Sequence, residues 1–217
     1  MRITLLGCSS SIGSLLLESA RALYGWVEVT IIENVPRADD DPFVPEGMDV
    51  RMMKAEALTE RPIGPFLLAM AKPEAKRATW AWFADRFGLQ REELTTLISP
   101  HAMVASTATI GRGVYVEPGV VISPFANVED MATINRGATI GHHTRVGEFV
   151  NIGPGCHIAG HCHLGASVQL GVGTVTFDHV SVGNGTMIGG GSVVVKDVPP
   201  NVVAWGNPCA VVKERVN

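Results

Sequence analysis

Histidine is the residue type in this sequence best suited to proton transfer and to binding transition metals near neutral pH. All seven histidines follow residue 100. His143, His161 and His179 are spaced by eighteen residues, whereas no histidine lies eighteen residues from His142. The regular spacing favours a surface ladder produced by a repeat, with an interface cluster and a metal site as alternatives. We therefore expect that the ladder is not the active site, and His142 stands alone in its column.

A repeat of six residues must position these histidines. An aliphatic residue returns at every sixth position from Ile98 to Val194, and Thr176 is the single interruption. This period fits neither a helix nor a lone strand, but it fits one flat side of a three-sided coil with eighteen residues per turn. The aliphatic side chains would fill the interior, and consecutive coils would pair as parallel strands. The sequence therefore predicts a parallel β-helix of about five to six coils.

Glycine directly follows the in-phase residue at eight positions of this repeat. We expect tight corners there, because glycine adopts backbone angles that a side chain hinders. These glycines are Gly111, Gly141, Gly147, Gly153, Gly165, Gly171, Gly183 and Gly189.

The first ninety or so residues have a different pattern. The apolar run Arg2–Cys8, the helical spacing of Ser11–Tyr24 and the β-branched run Val27–Glu33 predict a β-α-β start. Pro65–Ala71 predicts a third strand, and Pro73–Phe87 predicts an amphipathic helix that ends before a glycine. This alternation is typical of a small, Rossmann-like α/β domain with a parallel sheet.

Length and composition agree with two domains, which we place at residues 1–96 and, for the coil and its C-terminal cap, 97–217. The net charge of -4 argues against nucleic acid as a partner. No stretch approaches eighteen apolar residues, and the N-terminal run is too short for a signal peptide, so we expect a cytoplasmic protein without membrane insertion. The four cysteines form no CxxC pair, and we expect buried, reduced thiols.

The turn after the first strand, Gly7–Gly13, is a candidate ligand site, because amides at the start of the next helix attract anions. It lacks the GxGxxG pattern of dinucleotide-binding domains. The acidic end of the second strand could hold ribose hydroxyls or be a solvated turn. A nucleotide used as a handle on a substrate fits this domain better than a redox cofactor. The candidate substrate-binding residues are Ser9, Ser10, Ser11, Glu33 and Asn34.

Four segments of the second domain resemble the left-handed β-helix acyltransferases, and among them the sialic-acid O-acetyltransferase-like and bacillosamine-pathway N-acetyltransferase enzymes. They are Asn135–Phe149, Gly153–Gly160, Gly189–Pro200 and Gly206–Ala210. An α/β domain followed by a coil is also that family's arrangement, so the resemblance covers nearly the whole chain. It implies a left-handed coil, acetyl-coenzyme A (acetyl-CoA) as co-substrate, no metal, and a homotrimer with each site between two coils.

The resemblance also implies roles for individual residues. The family's catalytic histidine matches His142, which would take a proton from the amine or hydroxyl that attacks the thioester. Asn135 matches a residue near the substrate amine or the acetyl group, where it could donate to the carbonyl oxygen. Gly141 is expected to line the substrate site. The residues expected against coenzyme A are Gly160, Gly189, Gly190, Lys196 and Pro208.

The sequence departs from the family pattern in several places. The acidic residue that usually follows the catalytic histidine is His143 here, which leaves Glu148 or a main-chain carbonyl as candidate partners of the ring. A second family histidine is matched by Asn151. In the first domain the family's nucleotide-sugar contacts are substituted at Ser9–Ser11, at Glu33–Asn34 and at Ala71–Lys72.

We expect an acetyltransferase that moves an acetyl group from acetyl-CoA to the amino group of a nucleotide-linked amino sugar in surface glycan synthesis. The alternative is an O-acetyltransferase acting on a sugar or another small-molecule hydroxyl. A γ-carbonic-anhydrase-like zinc enzyme is less favoured, because that family carries a His-x4-His pair and no two histidines here are five residues apart. A non-catalytic scaffold is the remaining class.

Overall fold

The computed structural model describes residues 1–34 and 44–215, with the side chains of Ser10 and Ser11 outside the described part. The chain divides into two compact units, Met1–Pro100 and His101–Asn217. We had placed the domain boundary at residue 96. Within the described ranges, no helix is both long enough and apolar enough to cross a membrane.

The first unit is a parallel four-stranded sheet in the order β3-β2-β1-β4 with two α-helices. The side chains of Ile3 and Leu5 on β1 meet Leu16 and Leu17 of α1 in an apolar layer that covers one face of the sheet. The second helix ends at Gly88, a C-cap residue in the left-handed conformation with φ 65°. The elements are β1 Arg2–Leu6, α1 Ser10–Tyr24, β2 Glu28–Glu33, β3 Asp49–Lys54, a 3-10 turn Ala55–Ala57, β4 Phe66–Leu68, α2 Pro73–Phe87 and a 3-10 turn Arg91–Glu93.

One strand of this unit, β3, was not predicted from the sequence. It lies at the edge of the sheet and pairs with β2. Its residues Asp49, Arg51 and Lys54 are exposed, and the positions between them are half-buried. An edge strand that buries so little needs no apolar run, so the pattern that marked β1 and β2 is missing here.

The second unit is a parallel coil of two-residue strands. Each strand pairs with the strand eighteen residues later, as in Thr139 with His157 and then Val175. The first unit ends with β5 Leu97–Ile98, and the short strands of the coil are β6 Met103–Val104, β7 Thr109–Ile110, β8 Tyr115–Val116, β9 Val121–Ile122, β10 Asn127–Val128, β11 Thr133–Ile134, β12 Thr139–Ile140, β13 Arg145–Val146, β14 Asn151–Ile152, β15 His157–Ile158, β16 His163–Leu164, β17 Gln169–Leu170, β18 Val175–Thr176, β19 Ser181–Val182, β20 Met187–Ile188 and β21 Val193–Val194. They form three flat sides, in the orders β19-β16-β13-β10-β7, β21-β18-β15-β12-β9-β6 and β20-β17-β14-β11-β8.

The interior of the coil follows the six-residue rhythm. Every in-phase side chain from Val116 to Val194 is buried. Thr176, the interruption, keeps its hydroxyl paired inside: Oγ1 accepts a hydrogen bond from the Ala159 amide at 3.1 Å and lies 3.3 Å from Cys162 Sγ. The coil ends in a cap of two antiparallel strands, β22 Val202–Trp205 and β23 Ala210–Glu214.

The glycines that follow the in-phase residues have a different purpose from the one expected. Their backbone angles are ordinary, but a Cβ at Gly141 would lie 2.4 Å from the Ala159 carbonyl carbon, and one at Gly171 would lie 2.4 Å from the Gly190 amide. They are glycines because the next coil's backbone passes too close for a side chain. The prediction of a special backbone angle at these positions was wrong.

The left-handed backbone angle instead falls two residues later, at each corner from Gly113 to Gly191. Half of these fourteen corners carry a side chain, although the left-handed region disfavours one. Those residues are Phe125, Met131, His143, Phe149, His161, Ser167 and His179. Corners eighteen residues apart lie in one column. The column formed by Phe125, His143, His161 and His179 holds the histidine ladder.

Candidate functional site

His142 and His143 form one corner of the coil, between β12 and β13. The corner is fixed by main-chain hydrogen bonds to neighbouring coils: the His143 amide donates to Pro124 O at 3.2 Å, and the His161 amide donates to His142 O at 2.9 Å. His142, His143 and His161 are exposed. The repeat thus holds the backbone rigidly and leaves three imidazoles at the surface.

The predicted ladder is present, and Phe125 extends it. Ring centroids are 4.9 Å apart between Phe125 and His143, 4.9 Å between His143 and His161, and 4.7 Å between His161 and His179. The last two pairs are stacked, with interplanar angles of 13° and 2°. These spacings match the distance between consecutive parallel strands, about 4.8 Å, so the coil itself sets the stacking.

His142 lies against this ladder, although it belongs to a different column. Its Nδ1 is 3.1 Å from His143 Nδ1, and its ring meets the edge of His161 with centroids 4.9 Å apart and an angle of 88°. The ring nitrogen of His143 therefore occupies the hydrogen-bonding position for which we had considered Glu148 or a main-chain carbonyl. One of the two nitrogens must carry the proton and the other accept it.

Gly160 provides the space in which the His142 ring lies. A Cβ built on Gly160 would be 2.9 Å from both Cε1 and Nε2 of His142, and 3.3 Å from Asp178 Oδ1. The same carboxylate accepts a hydrogen bond from the Gly160 amide at 2.8 Å. Sequence analysis missed Asp178, although it lies eighteen residues from Gly160 and thirty-six from His142, and the repeat places these three in one column. Lys196, exposed, is the next member of that spacing.

The surroundings of His161 favour the neutral form of its ring. The pKa of His161 is lowered from its ordinary value of 6.5, first by desolvation and then by the neighbouring His179, His142 and His143, while Asp178 opposes the shift. A neutral ring retains a lone pair that can accept a proton or bind a metal ion.

Asn135 is buried rather than open to solvent. Its Nδ2 donates to Asn151 Oδ1 at 3.0 Å and to Ile152 O at 2.5 Å. Both amide hydrogens are thus engaged. The predicted donation to an acyl carbonyl stays a prediction, and it requires the amide to leave one of these acceptors; here Asn135 orients Asn151.

The residues expected against coenzyme A differ in surroundings. A Cβ on Gly189 would lie 2.9 Å from Trp205 Cβ, and one on Gly190 would lie 3.0 Å from Val172 O. Both glycines therefore serve close packing, as does Gly141 against the next coil. Pro208 is exposed in the turn between β22 and β23 and follows a cis peptide bond. Contact with coenzyme A stays a prediction for each of these residues.

In the first unit, the predicted substrate residues lie at the carboxyl ends of strands. Ser9 follows β1 at the start of α1, and its amide donates to Ala69 O, beyond β4, at 3.0 Å. Asn34, after β2, accepts a hydrogen bond from Thr79 Oγ1 at 3.3 Å. The side chains of Ser10 and Ser11 lie outside the described part.

Glu33 does not lie in a solvated turn, one of the two alternatives considered for the end of the second strand. It is 3% exposed, which excludes a solvated turn, and its Oε2 forms an ion pair with Lys54 Nζ at 2.5 Å. A buried carboxylate paired in this way orders the end of β2. Contact with ribose hydroxyls stays a prediction.

Within the described residues, one group of side chains has the composition and spacing to hold a metal ion. It consists of His142, His143 and His161, whose candidate ligand nitrogens all lie within 4.8 Å of one another.

Comparison with known proteins gives near full-length structural matches. No family model matches the chain. The structure of PerB from Caulobacter crescentus, in complex with CoA and GDP-perosamine, is 29% identical, with 97% of this chain and 96% of that chain covered and a TM-score of 0.79. The acetyltransferase domain of PglB from Neisseria gonorrhoeae is 27% identical, with 97% and 99% covered and a TM-score of 0.81.

Curated sequences match over a short stretch. The galactoside O-acetyltransferase of Escherichia coli is 57% identical over 35 residues, which are 16% of this chain and 17% of that protein. The match thus spans about a sixth of the relative's length. The structural matches extend over both units and confirm the fold expected from the sequence, a small parallel α/β domain followed by a left-handed β-helix.

Proposed function

We propose that this chain acts as do the left-handed β-helix sugar acetyltransferases, which it resembles over nearly its whole length, and moves an acetyl group from acetyl-CoA to the amino group of a nucleotide-linked amino sugar. The observation that carries the proposal is the full-length likeness to a structure holding both CoA and GDP-perosamine. The PglB domain, likewise similar over its length, has been crystallised with acetyl-CoA. Both ligand classes thus occur on this two-domain architecture.

The geometry around His142 suits a general base. With its Nδ1–H donating to His143 Nδ1, the ring presents Nε2, beside Gly160, as the free acceptor. As the sugar amine attacks the thioester carbonyl, Nε2 takes the proton that the nitrogen loses. The tetrahedral intermediate then collapses, the carbon–sulfur bond breaks, and the imidazolium returns its proton to the leaving thiolate. Atoms and charge balance without a further reactant.

His143 takes the place of the acidic residue that usually orients such a ring. A neutral imidazole that accepts at Nδ1 fixes the same tautomer of His142 that a carboxylate would fix. It stabilises the imidazolium less, because it carries no charge. We therefore propose His143 as the positioning residue.

The first unit would bind the nucleotide. The carboxyl ends of β1, β2 and β4 meet near Ser9 and Asn34, and strand order reverses beside β1. Ligands of open parallel sheets bind in such a crevice. The nucleotide part of the acceptor is thus proposed to bind at this edge of the sheet.

The remaining assignments are proposals of the same kind. Gly160, Gly189, Gly190, Lys196 and Pro208 would lie along coenzyme A, and the enzyme would work as a cytoplasmic homotrimer. The four cysteines are free thiols, as expected for a reducing compartment.

A second candidate is transfer to a hydroxyl. The observation that favours it is the 57% identity to a galactoside O-acetyltransferase over 35 residues. The acceptor atom would then be an alcohol oxygen, with the same base. Amino and hydroxy sugars offered in parallel distinguish the two.

The test is release of coenzyme A thiol from acetyl-CoA with a panel of UDP-, GDP- and dTDP-linked amino sugars. His142→Ala should lower turnover by a factor of about 100 or more, because the base is lost. His163→Ala is the matched control, since His163 is another exposed histidine of the coil outside the corner. Unchanged turnover in His142→Ala removes His142 from the mechanism. Silence across the panel, in protein shown to bind CoA, rejects the nucleotide-sugar acceptor.

A further inference from the structure

The three clustered histidines have a property that acetyl transfer does not use. His142 Nδ1 and His143 Nδ1 are 3.1 Å apart. Two nitrogens on one tetrahedral zinc ion, each bound at about 2.0–2.1 Å, are separated by roughly 3.3 Å. The two rings therefore already stand at nearly the separation that a chelated ion requires.

The third ring completes the set. The ligand nitrogens of His142, His143 and His161 lie within 4.8 Å of one another, and all three side chains are exposed. An exposed side chain can rotate by the small amount that separates 4.8 Å from bonding geometry. The carboxylate of Asp178, bonded to the Gly160 amide in the same column as His142, adds a negative charge nearby.

The backbone supporting these ligands is fixed in advance. His143 and His161 occupy equivalent corners, with φ of 59° and 55°, in consecutive coils joined by the bond from His161 N to His142 O. Such preorganisation lowers the entropy lost when the ligands close on an ion.

We propose that His142, His143 and His161 form a binding site for one divalent transition metal ion of the class that imidazole prefers, such as Zn²⁺ or Ni²⁺, and that binding places the ring proton of His142 on Nε2. Nitrogen ligands select these ions over Mg²⁺ and Ca²⁺, which require oxygen.

The proton balance leads to a functional consequence. A neutral imidazole binds an ion through one lone pair and keeps one N–H. When the ion takes Nδ1 of both His142 and His143, the proton between them moves to the other nitrogen of its own ring. His142 Nε2 is then a donor and cannot accept a proton. On the proposed function, a bound ion therefore inhibits the enzyme without contact with either substrate.

The test is equilibrium dialysis of the full chain, with any affinity tag removed, against Zn²⁺, Ni²⁺ and Mg²⁺. We expect one Zn²⁺ or Ni²⁺ per chain and no Mg²⁺. His161→Asn should weaken binding by about tenfold or more, because one of three ligands is lost. His179→Asn is the matched control: it removes a ladder histidine at an equivalent corner outside the cluster, and asparagine tolerates the left-handed backbone angle at both positions.

The proposal is overturned if His161→Asn and His179→Asn lose the same amount of metal affinity, or if the wild-type protein retains no ion. If His161→Asn fails to fold, His143→Asn gives the same comparison from another ligand. Nitrogen-15 spectra of labelled histidine report the tautomer of His142 directly, and a proton that stays on Nδ1 in the ion-loaded protein refutes the proton shift. None of these measurements needs activity, so they distinguish failure of this site from failure of the proposed transferase.

Discussion

Replacing His143 tests whether the ladder takes part in the chemistry. The 3.1 Å contact between the Nδ1 atoms of His142 and His143 is the interaction that would orient the base. His143→Ala removes the acceptor and leaves His142 free to rotate and to change tautomer. His143→Asp restores a carboxylate next to the base, and aspartate tolerates the left-handed corner.

The size of the effect follows from the hydrogen bond. In the transition state His142 becomes charged, and a hydrogen bond to a charged group contributes about 1.5–3 kcal/mol. Since about 1.4 kcal/mol is a factor of ten, His143→Ala should lower kcat by about 10- to 150-fold. KM for acetyl-CoA should change by less than about threefold, because the lost contact acts on the base and not on uniform binding.

The assay is thiol release with the best acceptor, measured across pH. The rate falls as pH drops because the base becomes protonated, and the carboxylate in His143→Asp favours that protonated form, so its acid limb should move to higher pH. His179→Ala is the control: it has the same backbone angle class and removes a stacked ring that is not next to the base. If His143→Ala and His179→Ala have equal rates, the ladder does not position His142.

Three further predictions concern packing and charge. Gly160→Ala places a Cβ 2.9 Å from the exposed ring of His142. The rate of thiol release should therefore fall by about 100-fold, while the free energy of unfolding in urea changes by less than about 1 kcal/mol. An unchanged rate would show that the position of the ring does not affect catalysis. Burial lowers the pKa of Lys76 from 10.5 to about 7. Between these two pH values the unfolded state binds more protons than the folded state, so the free energy of unfolding rises with pH. Lys76→Met should raise Tm at pH 7 and abolish this pH dependence of stability. Thr176→Val removes the acceptor of the half-buried Ala159 amide. It should lower the free energy of unfolding in urea by about 1–3 kcal/mol, and no change would mean that the amide finds another acceptor.

The coil could be predicted because one strong periodicity governs it. Side chains at every sixth position, such as Ile134 and Leu170, are buried because they point into the interior of the coil. Their burial can therefore be predicted from the repeat alone. The role of the glycines was harder to predict. The sequence suggested that Gly141 forms a corner, but glycine is needed there because a Cβ would clash with the backbone of Ala159 in the next coil. The periodicity of the sequence predicts the column in which a residue lies, but it does not predict how closely the backbones of neighbouring coils approach each other.

The site was predictable in part. Similarity singled out His142, and the spacing of eighteen gave the ladder. The contact between them depends on side-chain rotamers, because His142 belongs to a different column and reaches the ladder only through its ring. For Asn135 the column could be read from the sequence, but its hydrogen bonds to Asn151 and Ile152, sixteen and seventeen residues away, could not.

His142 and the residues described around it belong to three consecutive coils, at positions 142–143, 160–161 and 178–179. A change in chain length therefore affects the site according to its size and place. Eighteen residues added as a whole turn outside this stretch keep every column in register, and the coil lengthens with its chemistry intact. A single residue added between Gly160 and Asp178 shifts the following ring, carboxylate and corner out of their columns together. Natural variation in the length of such a protein should thus occur in whole turns or at protruding corners, and the three coils around His142 should keep one length.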